Sequence, residues 1–391
     1  MKRTLRILAI LFVIGSACAL ALVLGLGVYV DAWHNAALQL PDPPGPYLVG
    51  RVTYDWVDSA RDEAFAGHPS EKRELMVLAW CPADGAGGAT APYMPEPWQR
   101  QAERESGIGG LLAHRLSRIQ THSYDRAAPA DIPGPLPLVI LEPGFGRSSA
   151  DYNTIAEHLA SQGYLVLSSS PTYMTDLVVF DDGRVVRASP QAALPEGVDP
   201  LSPEFMAQAS ALLEVWEGDV AYLIDQAESL NADPSSAFYG RIDTANVGVI
   251  GHSFGGAAAY QLCKTDPRCK VAIDLDGTLF GESTTVSAVP FMLISADPSR
   301  ARGDAKRVDD YTRRIFAAQV QPAYHVTVEG AAHFNFSDLA LRASIVYRLL
   351  GAVGPIDGAR GLAIADQYID EMLGKYLKGQ PSPDLEGKQQ W

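Results

Sequence analysis

At Gly251-His252-Ser253-Phe254-Gly255 a serine stands between two glycines, directly after the apolar run Val247 to Ile250 and directly before the small-residue segment Gly256-Ala257-Ala258-Ala259. A strand that passes into a helix through so short a step must turn sharply. At either glycine position a Cβ would collide with neighbouring backbone, and the turn lifts the serine hydroxyl clear of the sheet. The step therefore calls for a strand, a tight elbow and a helix in that order.

The surrounding sequence supplies the sheet. Leu136 to Leu141, Tyr164 to Ser168, Val247 to Ile250, Val271 to Asp274, Pro290 to Ser295 and Tyr324 to Val328 are short apolar runs, as expected of parallel strands covered on both faces. Asp151 to Gln162, Phe205 to Leu230 and Ile364 to Leu377 read as helices between or after them. Strands alternating with helices predict βαβ units and a mostly parallel central sheet, an α/β class. Glu74 to Trp80 reads as an early strand, Asp84 to Ala91 as a Gly/Ala-rich loop, and Leu177 to Val186 as a hairpin around Asp182-Gly183. Leu111, Leu112, Leu116 and Ile119 fall at helical spacing, which predicts an amphipathic helix over Gly107 to Ile119.

A serine hydroxyl is a weak nucleophile without a base, and in this arrangement the base follows the last strands. Only His325 and His333 lie after Ser253. His325 sits inside an apolar run, whereas His333 lies on the loop beyond it, where a base belongs. Two strand ends offer an orienting carboxylate: Asp276, and Asp297 after the next strand, the commoner position. Asp274 reads as part of its strand. Backbone N–H groups of Phe254, after the nucleophile, and Phe145, in the turn Glu142-Pro143-Gly144-Phe145-Gly146, are the candidates for binding an oxyanion.

Ile7 to Val30 contains no charged side chain and is long enough to cross a hydrocarbon core of roughly 30 Å as a helix. Lys2, Arg3 and Arg6 precede it and Asp31 follows, so the positive-inside bias predicts a single-pass anchor with the body extracytoplasmic. The competing reading is a signal peptide cleaved near Val30-Asp31-Ala32, releasing a secreted body. The expected organisation is an anchor segment over 1–40 with its span at about 7–30, a Pro-rich spacer over 41–46, one catalytic domain over 47–379 and a polar tail over 380–391.

The 391 residues carry 31 basic and 46 acidic side chains, a net charge of −15, which disfavours nucleic acid as a partner. Four cysteines without C-x-x-C spacing exclude a thiolate metal site. Cys263 and Cys269 flank a short polar loop on the expected exported side, where disulfides persist, and are expected to pair, with Cys81 free in its strand.

Gly251-His-Ser253-Phe-Gly-Gly-Ala257, Leu275-Asp276-Gly277 and His333-Phe-Asn-Phe336 together resemble the plasma-type platelet-activating factor acetylhydrolases and their bacterial relatives. Leu78-Ala-Trp80-Cys-Pro82 is similar to that family's early Trp-Tyr-Pro strand, with Cys81 where tyrosine is usual. Glu142-Pro143 departs from it, since the human member has Ser-His there. The resemblance, running from about Tyr47 to Lys378, implies an α/β-hydrolase fold and puts Ser253, Asp276 and His333 on the family's triad and Phe145 and Phe254 on its oxyanion positions. It is this match that favours Asp276 over Asp297. The implied activity is hydrolysis of short or oxidised sn-2 acyl esters of phospholipids, without calcium or other metal and without a cofactor. The alternatives are a general carboxylesterase or polyester hydrolase, and a non-catalytic binding module on a hydrolase fold.

Overall fold

In Leu136 to Leu141, successive side chains point to opposite sides of the pleat, and both sides are covered. Leu138 and Ile140 share a buried cluster with Val249, Ala272, Leu212, Trp216 and Leu223. Val139 and Leu141 share another with Ile250, Ile273, Ile155, Leu159, Ile369 and Leu373. Burial on both faces is why these strands are continuous apolar runs rather than alternating ones. The computed structural model describes residues 2–66, 71–85, 88–281, 287, 289–301, 303–319 and 322–385. Residues 86–87 of the Gly/Ala-rich loop and 386–391 of the polar tail lie outside the described residues.

The central sheet runs in the order β1 (Leu38–Gln39), β5 (Ile119–Asp125), β2 (Leu48–Asp62), β3 (Lys72–Ala83), β7 (Leu165–Ser170), β6 (Leu136–Glu142), β10 (Ile242–His252), β11 (Cys269–Leu275), β12 (Phe291–Ser295) and β13 (Ala323–Thr327), with β4 (Thr90–Pro92) beside β5. From β7 to β13 neighbouring strands are parallel. β2 and β3, and β3 and β7, are antiparallel. The fold is thus a mostly parallel mixed sheet flanked by helices. One face is covered by α4 (Asn153–Ser161) and α10 (Gly358–Lys378), the other by α5 (Pro203–Ala232) and α6 (Phe254–Thr265), with α7 (Asp304–Ala317) on that second side. The segment Phe205 to Leu230, read as helical, lies within one continuous helix, α5. Its start is fixed by Pro203 in the first turn and by the Ser202 hydroxyl, which accepts the Phe205 N–H. The hairpin β8 (Leu177–Val179) and β9 (Val185–Arg187) stands apart from the sheet. Trp98 of α2 (Glu96–Glu105) holds it by donating to the Leu177 carbonyl at 2.8 Å.

Two expectations differ from the structure. Residues 107–119 do not form one helix: α3 (Gly107–Leu111) stops after five residues, a short 3₁₀ turn covers Leu116–Arg118, and β5 begins at Ile119. Three glycines among the first four residues weaken a helix. Alternating burial from Ile119 to Ser123, with pairing of β5 to β2, favours strand beyond it.

Nor do residues 41–46 stand off as a spacer. Leu38 and Gln39 already pair with β5, and Leu40 is buried. The Ser161 hydroxyl takes the Gly45 N–H at 3.0 Å and the Ser161 carbonyl takes the Tyr47 N–H at 3.2 Å. The long exposed apolar helix α1 (Lys2–Asn35) also grips the body at its C-terminal end. Trp33 Nε1 donates to the Arg342 carbonyl at 2.9 Å, His34 Nδ1 meets the Ala113 carbonyl at 2.8 Å, and Trp33 packs on His114 with ring centroids 4.6 Å apart. By length and composition α1 could cross a membrane.

Candidate active site

β10 ends in the elbow. Ser253 has φ 56° and ψ −118°, a conformation in which a non-glycine residue is strained and which sheets tolerate where a side chain must be aimed. A Cβ on Gly251 would stand 2.0 Å from the Gly255 carbonyl oxygen, and one on Gly255 2.3 Å from that of Pro143. Both glycines are therefore fixed by backbone crossing backbone at the elbow.

Ser253 faces His333, whose Nε2 lies 3.0 Å from the Ser253 Oγ, while its Nδ1 lies 2.8 Å from Asp276 Oδ2. With the ring neutral, the proton sits on Nδ1 toward the carboxylate and Nε2 is free to accept from the serine. Asp276, just past β11, also has positive φ, 56°. Its own N–H donates to the Ile294 carbonyl at 2.8 Å and its Oδ1 accepts the Ala296 N–H at 2.7 Å. Two strand ends thus hold the carboxylate in place.

Asp297 is used otherwise. It accepts N–H groups from Ser299 at 2.9 Å and Gly330 at 3.0 Å, and hydrogen bonding by the Ser299 side chain first, then by the Gly330 N–H, holds its carboxyl below its ordinary value. It braces the loop that carries His333 and does not meet the ring. His325 lies in β13 beside the Ser295 hydroxyl at 2.9 Å, with burial, chiefly, pulling it down to about 4. Asp274 is buried and accepts the Gly277 N–H at 2.8 Å, and burial raises its carboxyl well above the usual range.

Phe145 and Phe254 flank the serine, their rings edge to face with centroids 5.5 Å apart. Neither backbone N–H meets a protein acceptor among the described residues. Unpaired amides beside a nucleophile are the groups that can receive a developing oxyanion.

Sequence reasoning missed the support beneath these groups. The Gly144 N–H donates to the Tyr152 hydroxyl at 2.9 Å, and that hydroxyl lies 2.8 Å from His252 Nδ1. His252 Nε2 lies 2.9 Å from the carbonyl oxygen of His333. A carbonyl only accepts, so Nε2 carries the proton and Nδ1 accepts from Tyr152. Burial, then the nearness of His333, lowers His252 well below its ordinary value, which keeps the ring neutral as this pattern requires. The oxyanion-side turn and the backbone of His333 are thereby tied through one histidine. Beneath the same turn Glu142 is fully buried, accepting from Trp216 Nε1 at 2.5 Å; burial pushes it up to about 8. Trp216 packs on Phe254 and Phe145, at 5.3 and 6.4 Å between centroids. The histidine of the elbow was visible in sequence, but its partner Tyr152, a hundred residues away, gives no local signal.

Ser253 and His333 open into a cavity of about 420 Å³, walled by Phe145, Phe254, Phe280 and Val308, with Arg300 and Gly351 also lining it. A larger surface hollow of about 610 Å³ along α7 holds none of these groups. Among the described residues no cluster of three or more His, Cys, Asp or Glu is arranged to hold a metal ion. Cys263 and Cys269 are joined by a disulfide, and Cys81 is a buried free thiol.

Residues 203–386 match the family model described as platelet-activating factor acetylhydrolase, isoform II. A probable 1-alkyl-2-acetylglycerophosphocholine esterase from Arthroderma benhamiae is 26% identical over 261 residues, 63% of this chain and 61% of that one. A platelet-activating factor acetylhydrolase from Cavia porcellus is 27% identical over 265 residues, 62% of this chain and 57% of that one. The chain thus spans less than two thirds of the length of these relatives. Among solved structures, a ferulic acid esterase from Streptomyces cinnamoneus superposes with a TM-score of 0.72 at 26% identity, covering 90% of this chain and 96% of the other. The chain is thus similar, over residues 203–386, to the family described as platelet-activating factor acetylhydrolase, isoform II, and it is built on an α/β-hydrolase fold.

Proposed function

We propose that the protein is a serine ester hydrolase that works through an acyl-enzyme. The observation that carries this reading is the hydrogen-bonded line from Ser253 through His333 to Asp276 at the mouth of a cavity. Ser253 Oγ attacks the ester carbonyl while its proton passes to His333 Nε2, and Asp276 steadies the imidazolium through Nδ1. The tetrahedral oxyanion rests on the N–H groups of Phe145 and Phe254. Collapse expels the alcohol, which takes the proton from His333. Water, deprotonated by the same nitrogen, then attacks the acyl group and frees Ser253 as the acid leaves. No step calls for a metal or cofactor.

The substrate class proposed is phospholipid with a short or oxidised sn-2 acyl chain. Support comes from the names of the relatives and from a cavity large enough for a short chain but walled by phenylalanines. A second reading, hydrolysis of non-phospholipid carboxylic esters, is favoured by the ferulic acid esterase neighbour, which covers more of the chain than the relatives do. We place α1 as a retained single-pass anchor with the body extracytoplasmic, on the strength of its apolar length, the basic residues before it and the grip of its end on the body. The test is a chain-length series of phosphatidylcholines and nitrophenyl esters with the full chain. Preference for acetyl and short sn-2 chains on phospholipid supports the first reading. Turnover of nitrophenyl esters without phospholipid hydrolysis moves the assignment to the second.

A further inference from the structure

Glu142 closes β6 and stands in the turn that carries Phe145, yet the steps of ester hydrolysis give its carboxyl no part. A carboxyl wholly withdrawn from water is costly unless its surroundings hold one form of it. Trp216 Nε1 donates to one oxygen at 2.5 Å, and the Ser169 hydroxyl lies 3.3 Å from both. One turn along α5 from Trp216, Asp219 holds the guanidinium groups of Arg73 and Arg61, each with a nitrogen 2.9 Å from its Oδ1. Those cations are therefore committed elsewhere, and the charge of Asp219 opposes ionisation of Glu142. On the other side, Gly251 pairs with Glu142 in β6 and with Asp274 in β11, so the next titratable group across β10 is another buried carboxyl. These surroundings suit a protonated acid, in which one oxygen accepts from Trp216 and the other gives its proton to Ser169 Oγ. Burial, first of all, pushes the group up to about 8.

Two contacts carry Glu142 to the oxyanion donors. The Trp216 ring that it holds packs on Phe254 and Phe145, the residues whose N–H groups face the nucleophile, with centroids 5.3 and 6.4 Å away. Backbone meets backbone as well: a Cβ on Gly255 would stand 2.3 Å from the Pro143 carbonyl oxygen and 2.8 Å from that of Glu142. The end of β6 and the start of α6 therefore touch with no side chain between them, and the spacing of the two donors depends on both contacts. Such donors act by being fixed before charge develops, and a like charge close by weakens them.

We propose that Glu142 in its uncharged form is a positioning residue of the oxyanion site: through Trp216 it fixes the Phe145 and Phe254 amides relative to each other, and loss of its proton sets a negative charge beneath the developing oxyanion and slows hydrolysis. The proposal rests on the acyl-enzyme reading, since it needs an oxyanion to act on, and adds to it a group that never touches substrate.

The test measures kcat and KM of the full chain on nitrophenyl acetate from pH 6 to 9.5, with spontaneous hydrolysis subtracted and circular dichroism at each pH to verify that the chain is folded. In the parent, kcat should fall ~10-fold as pH rises through the titration of Glu142, with KM little changed. Glu142→Gln, whose amide oxygen still accepts the Trp216 N–H, should keep kcat at pH 6.5 within ~3-fold of the parent and lose the alkaline fall. Glu142→Met leaves the Trp216 N–H without an acceptor and should lower kcat ~10-fold at pH 6.5 with KM within ~2-fold. Coincident alkaline falls in parent and Glu142→Gln, no fall in the parent, a Glu142→Gln variant as slow as Glu142→Met, or a parental kcat in Glu142→Met each overturn the proposal. If Glu142→Met does not fold, the comparison of parent with Glu142→Gln decides by itself. A parent that turns over no ester at pH 6.5 ends the hydrolase reading and this proposal with it, whereas an active parent with a profile shared by Glu142→Gln defeats the proposal alone.

Discussion

At the scale of residues the account rests on a few polar atoms. Ser253→Ala and His333→Ala should each lower kcat by about four orders of magnitude, because such groups act as a unit. Asp276→Asn should cost a similar factor and Asp297→Asn far less, since Asp297 is occupied by the Ser299 and Gly330 N–H groups. Steady-state kinetics of the four variants check both statements, and the reverse order of the two aspartates would move the acid. Tyr152→Phe removes at once the donor to His252 and the acceptor for Gly144; a fall of about tenfold in kcat with KM little changed is expected. Glu142 supplies a pH prediction. Its carboxyl is raised from 4.5 to about 8, so between those values the folded protein holds a proton that the unfolded chain has lost. Stability from this group is present at low pH and drains away as pH rises through the window. Melting curves from pH 5 to 8 should thus fall less steeply for Glu142→Gln than for the parent, and an unchanged slope would mean the carboxyl is ionised throughout.

At the scale of elements, the strands and the elbow were legible because their cause is local: a strand buried on both faces is an apolar run, and an elbow needs its glycines. Ser253 was a candidate because of the elbow, and His333 because it follows Ser253 on a loop, where His325 lies inside an apolar run. Asp276 could not be separated from Asp297 by pattern, because both follow apolar strands, and what distinguishes them is which N–H groups each accepts in space. The helix expected over 107–119 failed for a related reason. Leu116 and Ile119 fit a helical period, yet the pairing of β5 with β2, seventy residues away in sequence, decides the conformation. The Pro-rich stretch read as a spacer because prolines lack donors, while the contacts that hold it come from Ser161. The Cys263–Cys269 bridge closes a loop with a sequence separation of 6, and loop-closure entropy for so short a loop is worth about 2 kcal/mol. Cys263→Ser with Cys269→Ser should therefore lower Tm by several degrees without changing kcat, as thermal unfolding and kinetics on the same preparation will show.

At the scale of the whole molecule, an acidic body, an apolar helix and a cavity are arranged around one edge. The sheet brings Ser253, Asp276 and His333 from three separate strand ends to that edge, and the grip of Trp33 and His34 on the body joins it to α1. The claim on which the rest depends is that Ser253 carries the acyl group during turnover. Acid-quenching the full chain within the first turnovers of a slow nitrophenyl ester, followed by peptide mass mapping, tests it directly. The account predicts one acyl group on the peptide holding Ser253, absent in Ser253→Ala. Acylation at another residue, or turnover at the parental rate with Ser253 replaced, would contradict it.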